Sequence, residues 1–389
     1  MSRSTSAVCS SRPARPAAPN WCATPSSTRW LTDRLPATFN DGWAYRDRVT
    51  ASDLSLADLL PAAEVPGPPI SAYYAARYAH SDRQVWGQRL AAGEIWRNGQ
   101  QLWGDVALAA GDRLVWHRPP WQEASVPVLP SPLFDDGDLM VFNKPSGLPV
   151  LPAGGFVRHT VLGQLEAQVQ AGELDAASGI PRPVHRLGRY TSGLLVCART
   201  SDARAWLSAQ LRESTAAATA AAPPAKPARF LAGFFRGCTK VYRALLAPPQ
   251  HGSPLAGLAV GQTLAITTSI GRQPHPRLGA IWCAAAPADP CALPACSRFT
   301  LLTVRPEGCL VEVAIATGRP HQIRIHAAAG GAPLLADPLY QAGGLARTNA
   351  LPGDGGYRLH AHRITLRTAE GEPLRFEAPL PCGLAQERF

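Results

Sequence analysis

One stretch, residues 183–200, constrains the fold of this chain more than any other. It begins with a polar and basic turn at residues 185–191 and continues into an uncharged apolar run at residues 194–198. A short apolar run bounded by turn residues predicts a buried strand. The sequence therefore places polar groups at the point where a loop meets a buried strand.

Positive charge is concentrated around this stretch. The formal net charge of the chain is +10. Between Arg182 and Arg243 there are eleven arginines or lysines but only two acids, Asp202 and Glu213. A concentrated basic surface attracts polyanions, so nucleic acid is the favoured class of partner. A generally arginine-rich composition is the alternative explanation, since only three of the 38 basic residues in the whole chain are lysines.

Composition excludes several other classes of protein. The chain is 46% hydrophobic and 17% charged over 389 residues, which fits a globular protein of two or three domains. No uninterrupted apolar run approaches the roughly 18 residues that span a bilayer, so we expect no membrane partner. The nine cysteines include no C-x-x-C pair. This spacing predicts neither a zinc site nor a disulfide framework, and a reducing compartment is expected.

Three segments are predicted along the chain. Residues 1–38 are a disordered or targeting segment, since the first 32 residues contain four arginines and no acid. A plastid or mitochondrial transit peptide and a plain disordered tail of a cytoplasmic protein both fit this composition. Residues 39–125 form an N-terminal region that contains a helix near 53–60, and residues 126–389 form the main domain. The proline-rich residues 119–132 predict a linker.

Residues 83–118 carry a regular pattern within the N-terminal region. Val85, Trp86 and Leu90 fall on one face of a short helix that Gly93 ends. The Asn-Gly pair at 98–99 and the Gly-Asp pair at 111–112 predict tight turns that separate short strands. The pattern therefore predicts a small α/β unit.

Several strings in the main domain place polar residues beside predicted strands or helices. In chain order they are Asn143-Lys144-Pro145-Ser146-Gly147, His185-Arg186-Leu187-Gly188-Arg189-Tyr190-Thr191-Ser192-Gly193-Leu194, Lys240-Val241-Tyr242-Arg243-Ala244, Thr317-Gly318-Arg319-Pro320-His321-Gln322-Ile323-Arg324, Ala336-Asp337-Pro338-Leu339-Tyr340 and Leu359-His360-Ala361. Lys144 can bond backbone carbonyls or a phosphate. Tyr242 lies on an alternating strand, and Thr317 can cap a helix with Pro320 in its first turn.

Together these strings resemble the RluA-type RNA pseudouridine synthase family over residues 133–380. The resemblance implies an α+β fold with a mixed, mainly antiparallel central sheet and a cleft that binds tRNA or rRNA. It implies no cofactor and no metal. Residues 83–118 resemble the alpha-L RNA-binding motif that often precedes the catalytic domain in this family. A small appendage without RNA contacts is the alternative for that unit.

The resemblance also implies roles for individual residues. Tyr242 stacks on a uridine base flipped out of the RNA, and Arg319 pairs with a catalytic aspartate at position 188. These three positions are the predicted catalytic set. The predicted RNA-binding residues are Lys144, His185, Arg186, Thr191, Ser192 and Arg324. For His185, holding the loop is the role favoured over proton transfer.

Position 188 departs from the family pattern, because the chain has glycine where the family has its catalytic aspartate. Glycine has no side chain that acts as nucleophile or base. A carboxylate from elsewhere is one explanation, and the candidates are Asp135, Asp136, Asp138 and Asp202. A second is a variant branch with a changed active site, similar to plant members that also carry His-Arg-Leu-Gly. A third is a catalytically inactive RNA-binding or ribosome-assembly factor.

We favour a pseudouridine synthase of the variant branch, with the inactive factor as the alternative. A basic RNA-binding protein that uses only residues 83–118 is a further hypothesis. The target uridine is not set by any motif, since the loops at 214–227 and 283–297 follow none. The first of these is predicted to be a flexible surface loop. We expect a monomer, although the sequence leaves the oligomeric state open.

Overall fold

The computed structural model describes seven stretches of the chain. They are residues 33–54, 67–175, 179–220, 238–286, 288–315, 317–368 and 371–385. The helices are α1 (Ala51–Leu54), α2 (Ile70–Arg77), α3 (Arg83–Ala91), α4 (Val161–Gln170), α5 (Ser201–Ala220) and α6 (Gln322–Ala329). The strands are β1 (Arg34–Leu35), β2 (Thr38–Phe39), β3 (Trp43–Arg48), β4 (Ile95–Arg97), β5 (Gln100–Gln101), β6 (Arg113–Arg118), β7 (Gln122–Glu123), β8 (Val126–Pro127), β9 (Phe134–Asp135), β10 (Leu139–Lys144), β11 (Arg182–Pro183), β12 (Ser192–Ala198), β13 (Thr239–Leu246), β14 (Thr263–Ile266), β15 (Ile270–His275), β16 (Gly279–Ala284), β17 (Ser297–Arg305), β18 (Gly308–Ile315), β19 (Leu359–Arg367) and β20 (Pro373–Glu377). The predicted targeting residues 1–32 and most of the predicted helix at 53–60 lie outside the described residues.

The largest sheet of the described chain has ten strands and forms the centre of the main domain. Its strand order is β14-β17-β18-β13-β19-β12-β10-β9, with β11 beside β12 and β20 beside β19. The pairing of β12 with β19 is parallel, and the other pairings are antiparallel. The predicted α+β class with a mixed, mainly antiparallel central sheet is therefore confirmed. Among the described helices, none has the length and apolar character needed to cross a bilayer.

The apolar run at residues 194–198 is a strand of the core, as predicted. All five side chains are buried in β12, which lies between β10 and β19. Leu165 of α4 and Leu207 of α5 belong to the same apolar core. A strand in the middle of a sheet with covered faces reads as a continuous apolar run rather than an alternating one. The run thus fixes where the polar loop that precedes it enters the domain.

The prediction of a flexible loop at 214–227 is wrong for the first part of that segment, because helix α5 extends into it. The helix begins at Ser201 and continues to Ala220, so residues 214–220 are helical. Alanine has the highest helix propensity, which explains why an alanine-rich segment continues the helix. The remaining residues 221–227 lie outside the described part of the chain.

The N-terminal region has its own sheet and core. The strands β3-β6-β4-β5 form a four-stranded sheet, and a separate apolar core includes Trp86, Leu90 and Trp116. The Asp82 carboxylate caps α3 by accepting from Val85 N at 2.9 Å. The helix, strands and turns predicted over 83–118 are present.

The proline-rich residues 119–132 are not a free linker. Strand β7 pairs with β2, and β8 pairs with β1. The buried carboxylate of Glu123 accepts from Asn40 Nδ2 at 2.7 Å, from Val157 N at 2.9 Å and from His159 N at 2.8 Å. Because one carboxylate bonds both the N-terminal segment and the loop before α4, this stretch joins the two regions. Proline content alone does not reveal such pairing.

Candidate active site

The signature loop enters the central sheet at the N-terminal end of β12. Ser192 pairs with His360 and Gly193 with Ala361 of the parallel strand β19. Gly193 has a φ of 101°, and a Cβ there would overlap the carbonyl oxygen of Ala361. Only glycine therefore allows this close approach of the two backbones.

Tyr242 reaches the same place from the other side of β19. Ala361 is also the partner of Tyr242 in β13, and the pairing has a bulge between Val241 and Tyr242. Neighbouring strands lie about 4.8 Å apart, so the backbones of Tyr242 and Gly193 are separated by roughly 10 Å. The structure thus brings the predicted stacking residue next to the signature loop. Burial raises the pKa of Tyr242 and keeps its hydroxyl protonated.

Lys144 is fully buried and bonds backbone rather than solvent. Its Nζ donates to the carbonyl oxygens of Pro145 at 2.9 Å, Leu148 at 2.8 Å and Arg189 at 3.0 Å. Burial, with a smaller effect from nearby Arg189, lowers the pKa of Lys144 to about 7. The three carbonyl dipoles offset part of the cost of burying its charge. Lys144 therefore ties the turn after β10 to the signature loop, and its position gives no support to the predicted RNA contact.

His185 and Ser192 also hold the loop. His185 Nε2 accepts from Val196 N at 3.0 Å, and the surrounding protein lowers the pKa of His185 to about 3. The ring is therefore neutral at physiological pH. Ser192 Oγ lies 2.9 Å from His360 Nδ1. Arg186, the residue after His185, is exposed.

The arrangement around Gly188 is the most informative part of the site. Gly188 is exposed, and its carbonyl accepts from Thr191 N at 3.0 Å in a tight turn. A Cβ at position 188 would overlap the hydroxyl of Tyr357 and lie 3.2 Å from Thr191 Oγ1. That hydroxyl itself lies 3.2 Å from Thr191 Oγ1. The space for a side chain at 188 is thus occupied by Tyr357.

Arg324 lies beneath this tyrosine and not on the surface. Its guanidinium carbon is 4.2 Å from the centroid of the Tyr357 ring. It also donates to both carboxylate oxygens of Asp337, at 2.7 Å each, and both residues are buried. The predicted RNA contact of Arg324 therefore finds no support in its position. Sequence reasoning noted Asp337 as part of a string but missed this pairing, and no spacing rule pointed to Tyr357.

Arg319 lies in a turn that differs from the predicted one. Helix α6 begins at Gln322, preceded by His321 in the left-handed conformation with φ 53°. Thr317 Oγ1 donates to Gln322 Oε1 at 2.7 Å instead of capping a helix that starts at Pro320. Arg319 Nε donates to the carbonyl of Pro294 at 3.0 Å, which connects the turn to the 283–297 loop.

The candidate replacement carboxylates lie far from Gly188. Strand β10 pairs with β12 from Lys144 opposite Gly193 to Leu139 opposite Ala198. Asp135, Asp136, Asp138 and Asp202 adjoin the Ala198 end of these strands. A rise of about 3.4 Å per residue over five residues separates the two ends by roughly 17 Å. Asp135 is in addition paired with Arg199, with Oδ2 2.7 Å from Nη2. The position of these four acids at the opposite end of the strand pair therefore gives no support to the explanation that one of them replaces the aspartate.

Within the described residues, no cluster of three or more His, Cys, Asp or Glu side chains could hold a metal ion. The described chemistry of the site is that of hydroxyls, guanidinium groups, an aromatic ring and backbone amides.

Comparisons with known proteins agree with this architecture. A family model described as RNA pseudouridylate synthase matches residues 138–219. An uncharacterised RNA pseudouridine synthase of Synechocystis is 39% identical over 313 residues, covering 79% of this chain and 93% of that protein. RNA pseudouridine synthase 5 of Arabidopsis thaliana is 35% identical over 375 residues, covering 88% of this chain and 94% of that protein. Ribosomal large subunit pseudouridine synthase D of Neisseria meningitidis is 31% identical over 274 residues, covering 67% of this chain and 62% of that protein.

The family model spans the loop at 185–193 with strands β10 and β12, and two of the relatives cover 79% and 88% of this chain. Together with the fold, they establish that this chain belongs to the RNA pseudouridine synthase family, whose members isomerise uridine in RNA to pseudouridine.

Proposed function

We propose that this chain isomerises a uridine of tRNA or rRNA by detaching the base, turning it and rejoining it through carbon 5. The observation that carries the proposal is the meeting of the signature loop and Tyr242 on either side of β19. The signature loop enters β12 at Gly193, whose backbone is roughly 10 Å from that of Tyr242, and this spacing suits a single flipped nucleotide.

Separate roles follow for the residues around this nucleotide. Tyr242 supplies the aromatic face for the base, and Arg186 supplies an exposed guanidinium for a phosphate next to the target. Lys144 and His185 act indirectly, because their polar atoms bond backbone groups of the loop. Arg319 orders the 283–297 loop through the Pro294 carbonyl, and that loop then contributes to the choice of RNA.

We further propose that the outer face of the N-terminal sheet binds RNA. Cross-strand register places Arg46, Arg48, Arg113, His117 and Trp96 on one face, opposite the face that stacks against the core. The three arginines and His117 are exposed. In the described strands β3 to β6 this face carries no acid.

Trp96 and His117 give this face an aromatic character as well as positive charge. Their ring centroids are 5.5 Å apart in an edge-to-face arrangement. Aromatic rings interleaved with arginines bind single-stranded nucleic acid by stacking on bases and neutralising phosphates. The surface therefore fits a single-stranded segment that flanks the target.

We also propose that the protein acts as a monomer. A measurement of its molecular mass in solution tests this.

Tritium release tests the main proposal. In vitro transcribed tRNA and rRNA carrying tritium at carbon 5 of uridine are incubated with the full chain, and tritium freed to solvent is counted. Release is expected, because carbon 5 exchanges its hydrogen for the bond to the ribose. Tyr242→Phe keeps the ring and should retain RNA binding, while Tyr242→Ala should lose release.

The inactive RNA-binding factor makes the opposite prediction. It requires RNA binding without tritium release from any of the transcripts. Gly188 motivates this alternative, but the family relationship favours the enzyme. A protein that uses only the N-terminal region would bind RNA equally well after substitution of Arg186. That result would separate this hypothesis from both the enzyme and the inactive factor.

A further inference from the structure

The Tyr357 hydroxyl occupies the position that a side chain at residue 188 would need. The overlap between a Cβ at 188 and the Tyr357 hydroxyl means that this hydroxyl stands where the first atom of a family-type side chain would stand. Gly188 is exposed while Tyr357 is buried at 3% exposure. Because Gly188 has no side chain, no side-chain atom of this exposed residue stands against the hydroxyl.

The hydroxyl is held in a fixed position. Its ring packs over the Arg324 guanidinium at 4.2 Å, and Arg324 is in turn fixed by the two-oxygen pairing with Asp337. The Tyr190 ring meets the Tyr357 ring edge to face, with the two centroids 6.1 Å apart. Thr191 Oγ1 lies 3.2 Å from the hydroxyl. A polar atom constrained from several sides is preorganised for contact with a reacting group.

We propose that the Tyr357 hydroxyl contacts the ribose of the target uridine in place of the carboxylate, and that Tyr357 is a catalytic residue of this chain. The inference rests on the proposed function. In this proposal two positions differ together from the family pattern. Glycine at 188 makes the space, and the tyrosine at 357 fills it and takes over the role of the aspartate. The Arg324 guanidinium against the ring face holds the ring, and with it the hydroxyl, in place.

The proton steps balance as follows. The hydroxyl first gives its proton to a solvent base. The phenolate oxygen then removes the proton from C2′ of the ribose, the C2′–H electron pair forms the C1′–C2′ double bond, and the C1′–N1 pair leaves with uracil. After the base turns, the phenol returns its proton to C2′ while C5 bonds to C1′. Carbon 5 loses its proton to solvent, N1 gains one, and the phenolate takes back from the solvent base the proton that it first gave up.

Tyr357→Phe tests this role directly, because it removes one oxygen and keeps the ring over Arg324. General acid–base groups contribute about 100- to 10,000-fold, so kcat for tritium release is expected to fall at least about 100-fold. The Kd for the labelled transcripts should stay within about threefold of wild type. Tyr74→Phe is the matched control, since Tyr74 is a buried tyrosine of the N-terminal core whose hydroxyl has no hydrogen-bond partner among the described residues.

The outcomes are separable. If the wild type releases tritium and Tyr357→Phe releases it within about twofold of the same rate, this inference is overturned and the proposed function stands. No release by wild type overturns both. If Tyr357→Phe does not fold, Gly188→Ala replaces it, because the added methyl overlaps the hydroxyl while Tyr357 stays. A kcat loss at unchanged Kd supports the inference, and full activity of Gly188→Ala overturns it.

Discussion

Gly188 and Tyr357 form a steric pair, and the pair predicts a stability effect apart from catalysis. Gly188→Ala places a methyl group against the Tyr357 hydroxyl, so Tyr357 or the signature loop has to shift. Overpacking of this kind costs about 1–3 kcal/mol. We expect the free energy of unfolding, measured by urea titration, to fall by that amount.

A double-mutant cycle gives this prediction its control. Tyr357→Phe removes the atom that the new methyl group overlaps, so the double variant should lose less stability than the two single variants together. Gly104→Ala serves as the neutral substitution, because a Cβ at 104 has no neighbour within 4 Å. Strict additivity of the Gly188→Ala and Tyr357→Phe effects would contradict the overlap.

Lys144 carries a second residue-scale prediction. Lys144→Met keeps most of the side-chain volume but leaves the carbonyls of Pro145, Leu148 and Arg189 without the donor they share. The Arg189 carbonyl keeps a hydrogen bond from Gly147 N, so two carbonyls lose a donor. Buried unsatisfied groups cost about 1–3 kcal/mol each, so a loss of about 2 kcal/mol or more is expected in urea unfolding. Arg375→Met, at an exposed position of β20, should change stability by less than about 0.5 kcal/mol. Equal effects of the two substitutions would show that Lys144 does not brace the loop.

At the scale of elements, apolar patterns were the reliable guide. The run at 194–198 predicted the buried strand β12, because an uncharged segment between turn residues has few other places in a fold. The extent of α5 and the pairing of β7 and β8 were missed. Local patterns do not show that alanine-rich residues continue a helix or that a proline-rich stretch pairs with strands more than 80 residues away.

The outer face of the N-terminal sheet gives an element-scale prediction. The double substitution Arg46→Gln and Arg48→Gln removes two exposed charges without touching the core face of β3. Each lost phosphate contact lowers the slope of log K against log salt by about one, so a decrease of about two is expected. Filter binding at several salt concentrations measures it. Arg367→Gln with Arg375→Gln removes the same charge from β19 and β20 and should leave the slope nearly unchanged.

For the whole molecule, the resemblance of the sequence to a known family predicted the fold class but not which atoms are in contact. Resemblance identified Gly188, Tyr242 and Arg319, and the order of β12, β19 and β13 brings the first two together. It did not reveal that Tyr357 fills the space at 188, since 169 residues separate them and no periodicity links them. Such contacts arise from packing of distant segments, which local pattern does not encode.

Four histidines of the main domain contribute to its acid stability. Burial lowers their pKa from 6.5, to about 3 for His185, His321 and His360 and to about 4 for His326. Each stays neutral in the folded protein while its unfolded counterpart gains a proton near pH 6.5. The unfolded state therefore binds more protons below that pH, and stability present above pH 6.5 is lost as pH falls toward 3–4.

The size of this loss can be measured. Each such histidine contributes about 1 kcal/mol between pH 6.5 and 5.5, so the four together lower the free energy of unfolding by up to about 4 kcal/mol. Urea titrations at both pH values should show it, within the range where the native state refolds reversibly. His326→Gln should reduce the proton uptake on unfolding by about one, because His326 is held by Ser297 Oγ at 2.9 Å and by the carbonyl of Thr268 at 2.8 Å in a buried position. An unchanged pH slope in His326→Gln would mean that the ring is protonated in the folded protein and that other groups control acid unfolding.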